Sequence, residues 1–273
     1  MTAKELLDAG ELSAAIAQLN QEVRSHPTDT QRRTFLFELL CFAGESARAE
    51  RQLEVLGQQS ATAEVGIQVY RNILTAEKAR QRLFADGLRP TFLFPPPPYA
   101  RLYLEAVQRL REQQPAEALA LLDQANSVQP TLKGWIDGQP FEDFRDGDDV
   151  LAPFLEVMVH DQYVWLPFEQ VKQVTIAAPK RLRDLLWLPA TLESHLGPVG
   201  EVFLPVLYAA SSTHADDQIK LGRMTDWQDM GAGVTLGMGQ HLFFVDSVDR
   251  AMLEVRDLVF DAVTSQGIVA AQE

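Results

Sequence analysis

The side chains that could do chemistry are few and scattered. Five acids, Glu142, Asp143, Asp146, Asp148 and Asp149, stand close together, as ligands do in a calcium loop. Their spacing does not fit one: Gly147 falls directly after Asp146, and no glutamate closes a twelve-residue loop. The stretch reads as a solvated turn. Of the five histidines, His26, His160, His195, His214 and His241, no two form an HExxH pair or share a helix face, so they imply no zinc site. His26 precedes Pro27 and reads as a helix-end residue; His160 falls in an expected turn. Ser211, Ser212, His214, Asp216 and Asp217 are the residue types of a hydrolytic triad, but no GxSxG elbow surrounds the serines, and they read as a loop. Gly231, Gly233, Gly237 and Gly239 could cradle a phosphate, yet neither Gly-Lys-Ser/Thr nor a helix-opening GxGxxG is present. They read as turn glycines. Cys41 lies in the apolar run from Phe35 to Phe42 with no histidine or basic residue beside it, which suits a small buried hydrophobe. No catalytic, cofactor-binding or metal-ligating residue is expected, and no cofactor.

The composition is that of a globular chain: 273 residues, 46% hydrophobic and 23% charged, enough for one large or two ordinary cores. The formal net charge of −14 repels phosphate backbones and anionic lipid, so nucleic acid and membrane surfaces are poor partners. A lone cysteine fits a reducing compartment. The first residues carry acids and no long apolar core, unlike a signal peptide. No apolar run approaches the roughly 18 residues of a spanning helix. A soluble, cytoplasmic protein is expected.

Two halves follow different patterns. The run from Gly10 to Leu19 is similar to that from Gly44 to Leu53, an offset of 34 residues, the period of the tetratricopeptide helix pair. A third copy starts at Pro115, and Ala118 lies 69 residues after Ala49. Ala15, Ala49 and Ala118 are small residues suited to close helix crossings. A long helix is expected over 63–85 as a degenerate repeat. The proline run Pro95 to Pro98 then serves as an extended connector. After Leu132, Asp137 and Gly138 suit a tight hairpin turn, and a second hairpin is expected over 155–166. Further strands are expected over 171–177, 201–207 and 240–245, with short helices over 181–185 and 248–260. The expected fold is α+β: a tetratricopeptide-like α-helical repeat domain over 1–130, then a strand-rich α+β domain over 131–273 with a small antiparallel, barrel-like sheet.

Motifs along nearly the whole chain resemble the ImpE family, also called SciE or TagJ, accessory proteins of bacterial type VI secretion. They include Glu38-Leu39-Leu40-Cys41 with Gly44-Glu45, then Glu77 and Arg80. In the second half they include Gly138, Phe141, Asp146, Asp148, Glu156, Tyr163, Trp165, Pro167 and Phe168. Arg183-Asp184-Leu185, Trp187, Pro205, Tyr208, Gly222-Arg223, Thr225, Trp227 and Gly239-Gln240 complete them. Two positions depart from the pattern: His241 stands where the family commonly has a basic residue, and Gln162 where it favours glycine.

The resemblance implies a cytoplasmic, non-enzymatic adaptor. It would bind the N-terminal helical segment of the small contractile-sheath subunit and modulate sheath recycling by an AAA+ unfoldase, itself an indirect partner candidate. A tetratricopeptide array offers a concave trough for an amphipathic helix. Phe35, Leu39 and Phe42 on one helix, with Leu102, Ala106 and Arg109 on another, are the partner-binding candidates. Four aliphatic anchors would give about 6–12 kcal/mol gross, against association costs of about 4–15 kcal/mol, so the complex would be weak. The acidic chain favours a partner with basic flanks. Tyr163, Trp165 and Trp187 are expected to maintain the fold. The competing readings are a hydrolase-like enzyme around Asp146, Asp148, His214 and Asp216, and a general peptide-binding repeat protein.

Overall fold

Three helix-closing turns of one kind punctuate the first 126 residues of the computed structural model, which describes residues 1–59 and 64–263. Helix α1 (Ala3–Asp8) leads into α2 (Leu12–Ser25), α3 (Thr30–Phe42) into α4 (Ser46–Gln59), and α6 (Ala100–Arg111) into α7 (Pro115–Asn126). A capping box between Thr2 and Glu5 starts α1. Asp29 starts α3 by accepting the Arg32 N–H. Pro115 opens α7, where its missing N–H leaves no bond unmade.

The first helix of each pair stops on a residue with positive φ: Gly10 (83°), Gly44 (70°) and Gln113 (58°). The next N–H reaches back five residues each time, Glu11 to Leu6, Glu45 to Leu40 and Gln114 to Arg109. The recurring Gly-Glu pair in the sequence is therefore a helix stop, closing orphan carbonyls. Ala15, Ala49 and Ala118 are each fully buried within helix pairs that pack on one another.

Helix α5 (Glu64–Asp86) stands between the second and third pairs. It matches the long helix expected there, although Ala63 lies outside the described residues. It packs mainly on α4 and on strands β4 (Phe154–Val159) and β5 (Gln162–Pro167). The connector after α5 turns along the outer edge of β5. Thr91 accepts from the Trp165 N–H and donates to the Tyr163 carbonyl, both at 3.0 Å.

Eight strands make the main sheet, in the order β2-β1-β13-β6-β7-β8-β4-β5. Besides β4 and β5 these are β1 (Gly134–Ile136), β2 (Gln139–Phe141), β6 (Val171–Ile176), β7 (Trp187–Ser194), β8 (Gly197–Pro205) and β13 (Asp257–Phe260). All its neighbouring strands are antiparallel. The expectation of a small, barrel-like sheet is corrected on both counts. The sheet is large, and its edge strands β2 and β5 do not pair. The Thr91 segment takes the β5 edge that closure would need. A three-stranded sheet, β12-β11-β3, combines β3 (Phe144–Asp146), β11 (Leu242–Val245) and β12 (Val248–Ala251). β9 (Thr225–Gly231) and β10 (Val234–Gly239) pair separately.

Both expected hairpins form; Asp137 and Gly138 take φ of 50° and 77° at the first turn. The helix expected over 248–260 does not form: β12, a single 3₁₀ turn (Met252–Glu254) and β13 occupy that stretch. The glycines 231–239, read as turn residues, belong largely to the β9–β10 hairpin. Residues 264–273, included in the expected second domain, lie outside the described residues.

Helices and strands share one continuous hydrophobic core. Tyr103 of α6 meets Phe154 edge-on at 5.3 Å, and Phe154 stacks on Trp165 at 4.7 Å. Tyr70 of α5 bridges Phe37 of α3 and Trp187 of β7. Tyr163, Trp165 and Trp187 are buried, consistent with the packing role expected of them.

Candidate functional site

A charged cluster sits where α5 meets the strands. Along α5 an apolar face points inward, and Arg80 interrupts it, with Glu77 one turn earlier. Strand β4 reads Phe-Leu-Glu-Val-Met-Val, placing Glu156 in an otherwise apolar buried run. Arg80, Glu156, Asp146 and His241 are each 2% exposed, which makes pairing obligatory.

The pairs close on one another. Arg80 donates from Nε to Glu156 Oε1 at 2.8 Å and from Nη2 to Oε2 at 2.5 Å. Nη2 also reaches the Leu207 carbonyl at 2.7 Å, and Nη1 lies 3.4 Å from Glu77. The Tyr163 hydroxyl donates to Glu156 and accepts from Trp165 Nε1. His241 Nδ1 lies 2.8 Å from Asp146 Oδ2, and Nε2 lies 3.0 Å from Glu156 Oε2, close but outside hydrogen-bond alignment. Tyr208 donates to Asp146 at 2.8 Å and lays its ring 3.9 Å from that of His241.

Asp148 extends the cluster, accepting backbone N–H groups of Val150, Leu151 and Gly237. Gly237 is required here: a Cβ would come within 2.2 Å of the Tyr208 ring. Burial, then repulsion from Asp146, pushes the Asp148 carboxyl up to about 7, against those three N–H groups. Burial alone would raise Glu156, but the Arg80 charge and hydrogen bonds, with the charge of His241, hold it well below the carboxylate range. Burial would lower His241; Asp146 and Glu156 outweigh it and hold the imidazole at about 9. His241 is therefore a cation at neutral pH. At the position where the resemblance leads one to expect a basic residue, this histidine supplies the positive charge.

The cluster ties the helices to the strands. Each carboxylate is committed to N–H, O–H or cationic partners, and the adjoining cleft measures about 40 Å³. That admits a few waters and is far below the roughly 300 Å³ of an ordinary ligand pocket. Cys41, Gly44, Glu77, Trp187, Tyr208 and Ser212 are among its walls.

The other residues singled out in the sequence are dispersed. Asp146 and Asp148 do not lie in a solvated turn, as their spacing suggested; the cations and amides around them make burial tolerable. Asp149 pairs with Arg145, and Glu142 with Lys133. Asp143 stays exposed. The Ser211 hydroxyl donates to the Tyr208 carbonyl and accepts from the Gly239 N–H. His214 instead binds Asp226 at 3.1 Å and the Asp216 N–H. Asp217 pairs with Lys220, Ser212 stands against Gly44, and these side chains assemble no triad. His26 ends α2, His160 sits at the β4–β5 turn with φ of 54°, and His195 approaches the Phe260 carbonyl. Cys41 is only part-buried; burial, then Glu77 and Glu38, push its thiol well above the usual range. Among the described residues no group of three or more His, Cys, Asp or Glu side chains could hold a metal ion.

The trough expected along α3 is filled by the chain's own second half. Arg183 pairs with Glu38 at 3.1 Å and lies over the Tyr70 ring at 4.7 Å, while Trp187 backs Tyr70. Leu39, Phe42, Leu102 and Ala106 are buried in the shared core. Phe35 is half-buried, and Arg109 is half-exposed beside Glu112 and Glu117. The sequence marked Arg80 and Glu156 only through resemblance. Their physical signal was a charge inside an apolar run, most plainly Glu156.

The ImpE protein family model matches residues 138–259. The chain is 39% identical over 261 residues to the type VI secretion system accessory component TagJ of Pseudomonas aeruginosa, covering 96% of this chain and 92% of that one. A crystal structure of a Vibrio parahaemolyticus protein shares the fold, with a TM-score of 0.88 over 95% of this chain and 97% of the other, at 24% identity. Near-complete coverage of both partners at that identity leaves one conclusion about kinship: the chain belongs to the ImpE family.

Proposed function

We propose that this protein is a cytoplasmic accessory component of a bacterial type VI secretion system that works by protein contact and not by catalysis. The observation that carries the reading is its 39% identity to TagJ over 96% of the chain. No helix among the described residues is long and apolar enough to cross a membrane, which is compatible with it.

The partner in this reading is the small contractile-sheath subunit, captured through its N-terminal helical segment, with an indirect effect on recycling by the AAA+ unfoldase. The helical part (1–130) and strand-rich part (131–273) act as two portions of one adaptor. Of 38 acidic residues, 22 follow residue 130, against 10 of 24 basic ones, so the strand-rich part carries nearly all the net negative charge. That field would steer a basic-flanked segment during encounter. Phe35 and Arg109 are the candidate contacts that keep exposed surface; Leu39, Phe42, Leu102 and Ala106 serve packing.

Co-purification tests the reading. The full chain is expected to retain the small sheath subunit and to lose it when the subunit's N-terminal helix is deleted. Unchanged retention after that deletion would overturn the binding mode, and no retention of the intact subunit would overturn the choice of partner.

A further inference from the structure

His241 is held between two carboxylates, one at each ring nitrogen, at 2.8 Å from Asp146 and 3.0 Å from Glu156. A neutral imidazole carries one N–H, so one lone pair would face a carboxylate oxygen with water excluded. Only the doubly protonated ring bonds Asp146 through Nδ1 and also turns a positively charged N–H, not a lone pair, toward Glu156. We propose that His241 is a proton-operated latch: its imidazolium keeps the Arg80–Glu156 pair closed and α5 seated on the sheet, and loss of its proton loosens α5 and widens the cleft beside it.

The charged and titratable groups around the ring come from every neighbouring element. Asp146 approaches from β3, and Asp148 from the turn that follows it. Glu156 and Tyr163 belong to β4 and β5, and Arg80 and Glu77 to α5. Tyr208 stacks from the segment after β8. Without the imidazolium, Asp146 and Glu156 lose the cation between them. Arg80 must then balance Glu156 and Glu77 alone while still holding the Leu207 carbonyl. Leu207 and Tyr208 form one wall of the cleft, and Glu77 and Arg80 another, so slackening this group separates those walls.

The proton involved is tightly held. The ring titrates at about 9, above its ordinary 6.5. Its contribution to stability is therefore complete below about pH 6.5, declines above it, and is lost as pH rises through about 9. The inference concerns how the two parts are joined and stands apart from the secretion role.

The test uses the full chain. Nitrogen NMR of ¹⁵N-histidine-labelled wild-type protein at pH 7.5 is expected to show both His241 nitrogens protonated; a neutral tautomer overturns the proposal. Hydrogen exchange, corrected for the intrinsic pH effect, then compares α5 with α2. Between pH 7.5 and 10, wild-type α5 is expected to lose at least tenfold in protection relative to α2. His241→Lys is expected to keep that protection at pH 10, and His241→Gln to lack it at both values. Equal pH responses in all three proteins, or an unchanged wild-type α5 at pH 10, overturn the latch. If the variants do not fold, the wild-type titration and exchange decide alone.

Discussion

Arg80 and Glu156, 76 residues apart in the chain, form a two-pronged ion pair at 2.8 and 2.5 Å with almost no solvent around it. One partner lies on α5 and the other on β4, so this contact joins the helical and strand-rich parts. A buried pair of this kind is modest evidence for net stability, because desolvation opposes the Coulomb gain. Its larger consequence is specificity: α5 can seat in only one position without stranding a charge.

Removing one member leaves the other uncompensated. Arg80→Met is expected to cost about 3–5 kcal/mol, a drop in unfolding midpoint on the order of 10 °C for a chain of this size. Circular dichroism during heating measures it. A drop of only a degree or two would mean that Glu156 is satisfied without Arg80.

The helical part was legible because its determinants are local. Helix stops at Gly10 and Gly44, and small residues at Ala15, Ala49 and Ala118, recur at readable intervals. The hairpin turns at Asp137 and His160 are equally local. The stretch 248–260 was misread because its apolar residues recur at helix-like intervals, while its true partners are distant. Leu258 lies opposite Ile136 on one side and Val174 on the other. The charged cluster was hidden for the same reason: Asp146 and His241 are 95 residues apart, and no local pattern reports their contact.

Gln113 occupies the position that Gly10 and Gly44 fill in the other two helix pairs, with φ of 58°. A side chain there costs about 1–2 kcal/mol relative to glycine. Gln113→Gly is accordingly expected to stabilise the protein by about 1 kcal/mol, read as a higher urea midpoint at unchanged slope. The reverse-type change, Gly44→Ala, should destabilise, since its Cβ would also come within 2.6 Å of the Ser212 hydroxyl.

Asp148 gives the fold a pH dependence of definite sign. Its carboxyl is held at about 7, above the ordinary 3.8, so the folded chain binds a proton that the unfolded chain has released between those values. The contribution of this group is complete below about pH 3.8 and is lost as pH rises through about 7. Asp148→Asn should lack that slope, so the wild-type urea midpoint minus that of the variant is expected to fall steadily across pH 4, 5, 6 and 7. It should also carry a constant cost of about 1–3 kcal/mol, because the amide cannot accept from all three backbone N–H groups. A pH-independent difference would mean that Asp148 is ionised throughout.

Leu39 and Phe35 separate packing from contact on one helix. Leu39 is fully enclosed in the shared core, whereas Phe35 is half-buried on α3. Leu39→Ala should cost about 2–5 kcal/mol, as truncation of a core leucine does. It should weaken capture of the sheath subunit only in proportion to the folded protein lost. Phe35→Ser should lose less stability and reduce capture at temperatures where the variant is fully folded, because the aromatic surface removed is what a partner helix would meet. Urea denaturation and co-purification on the same samples give both readouts. If Phe35→Ser leaves capture intact, the partner docks away from α3. If Leu39→Ala abolishes capture with its urea midpoint unchanged, Leu39 is a contact after all, and α3 must move off the strand-rich part when the partner binds.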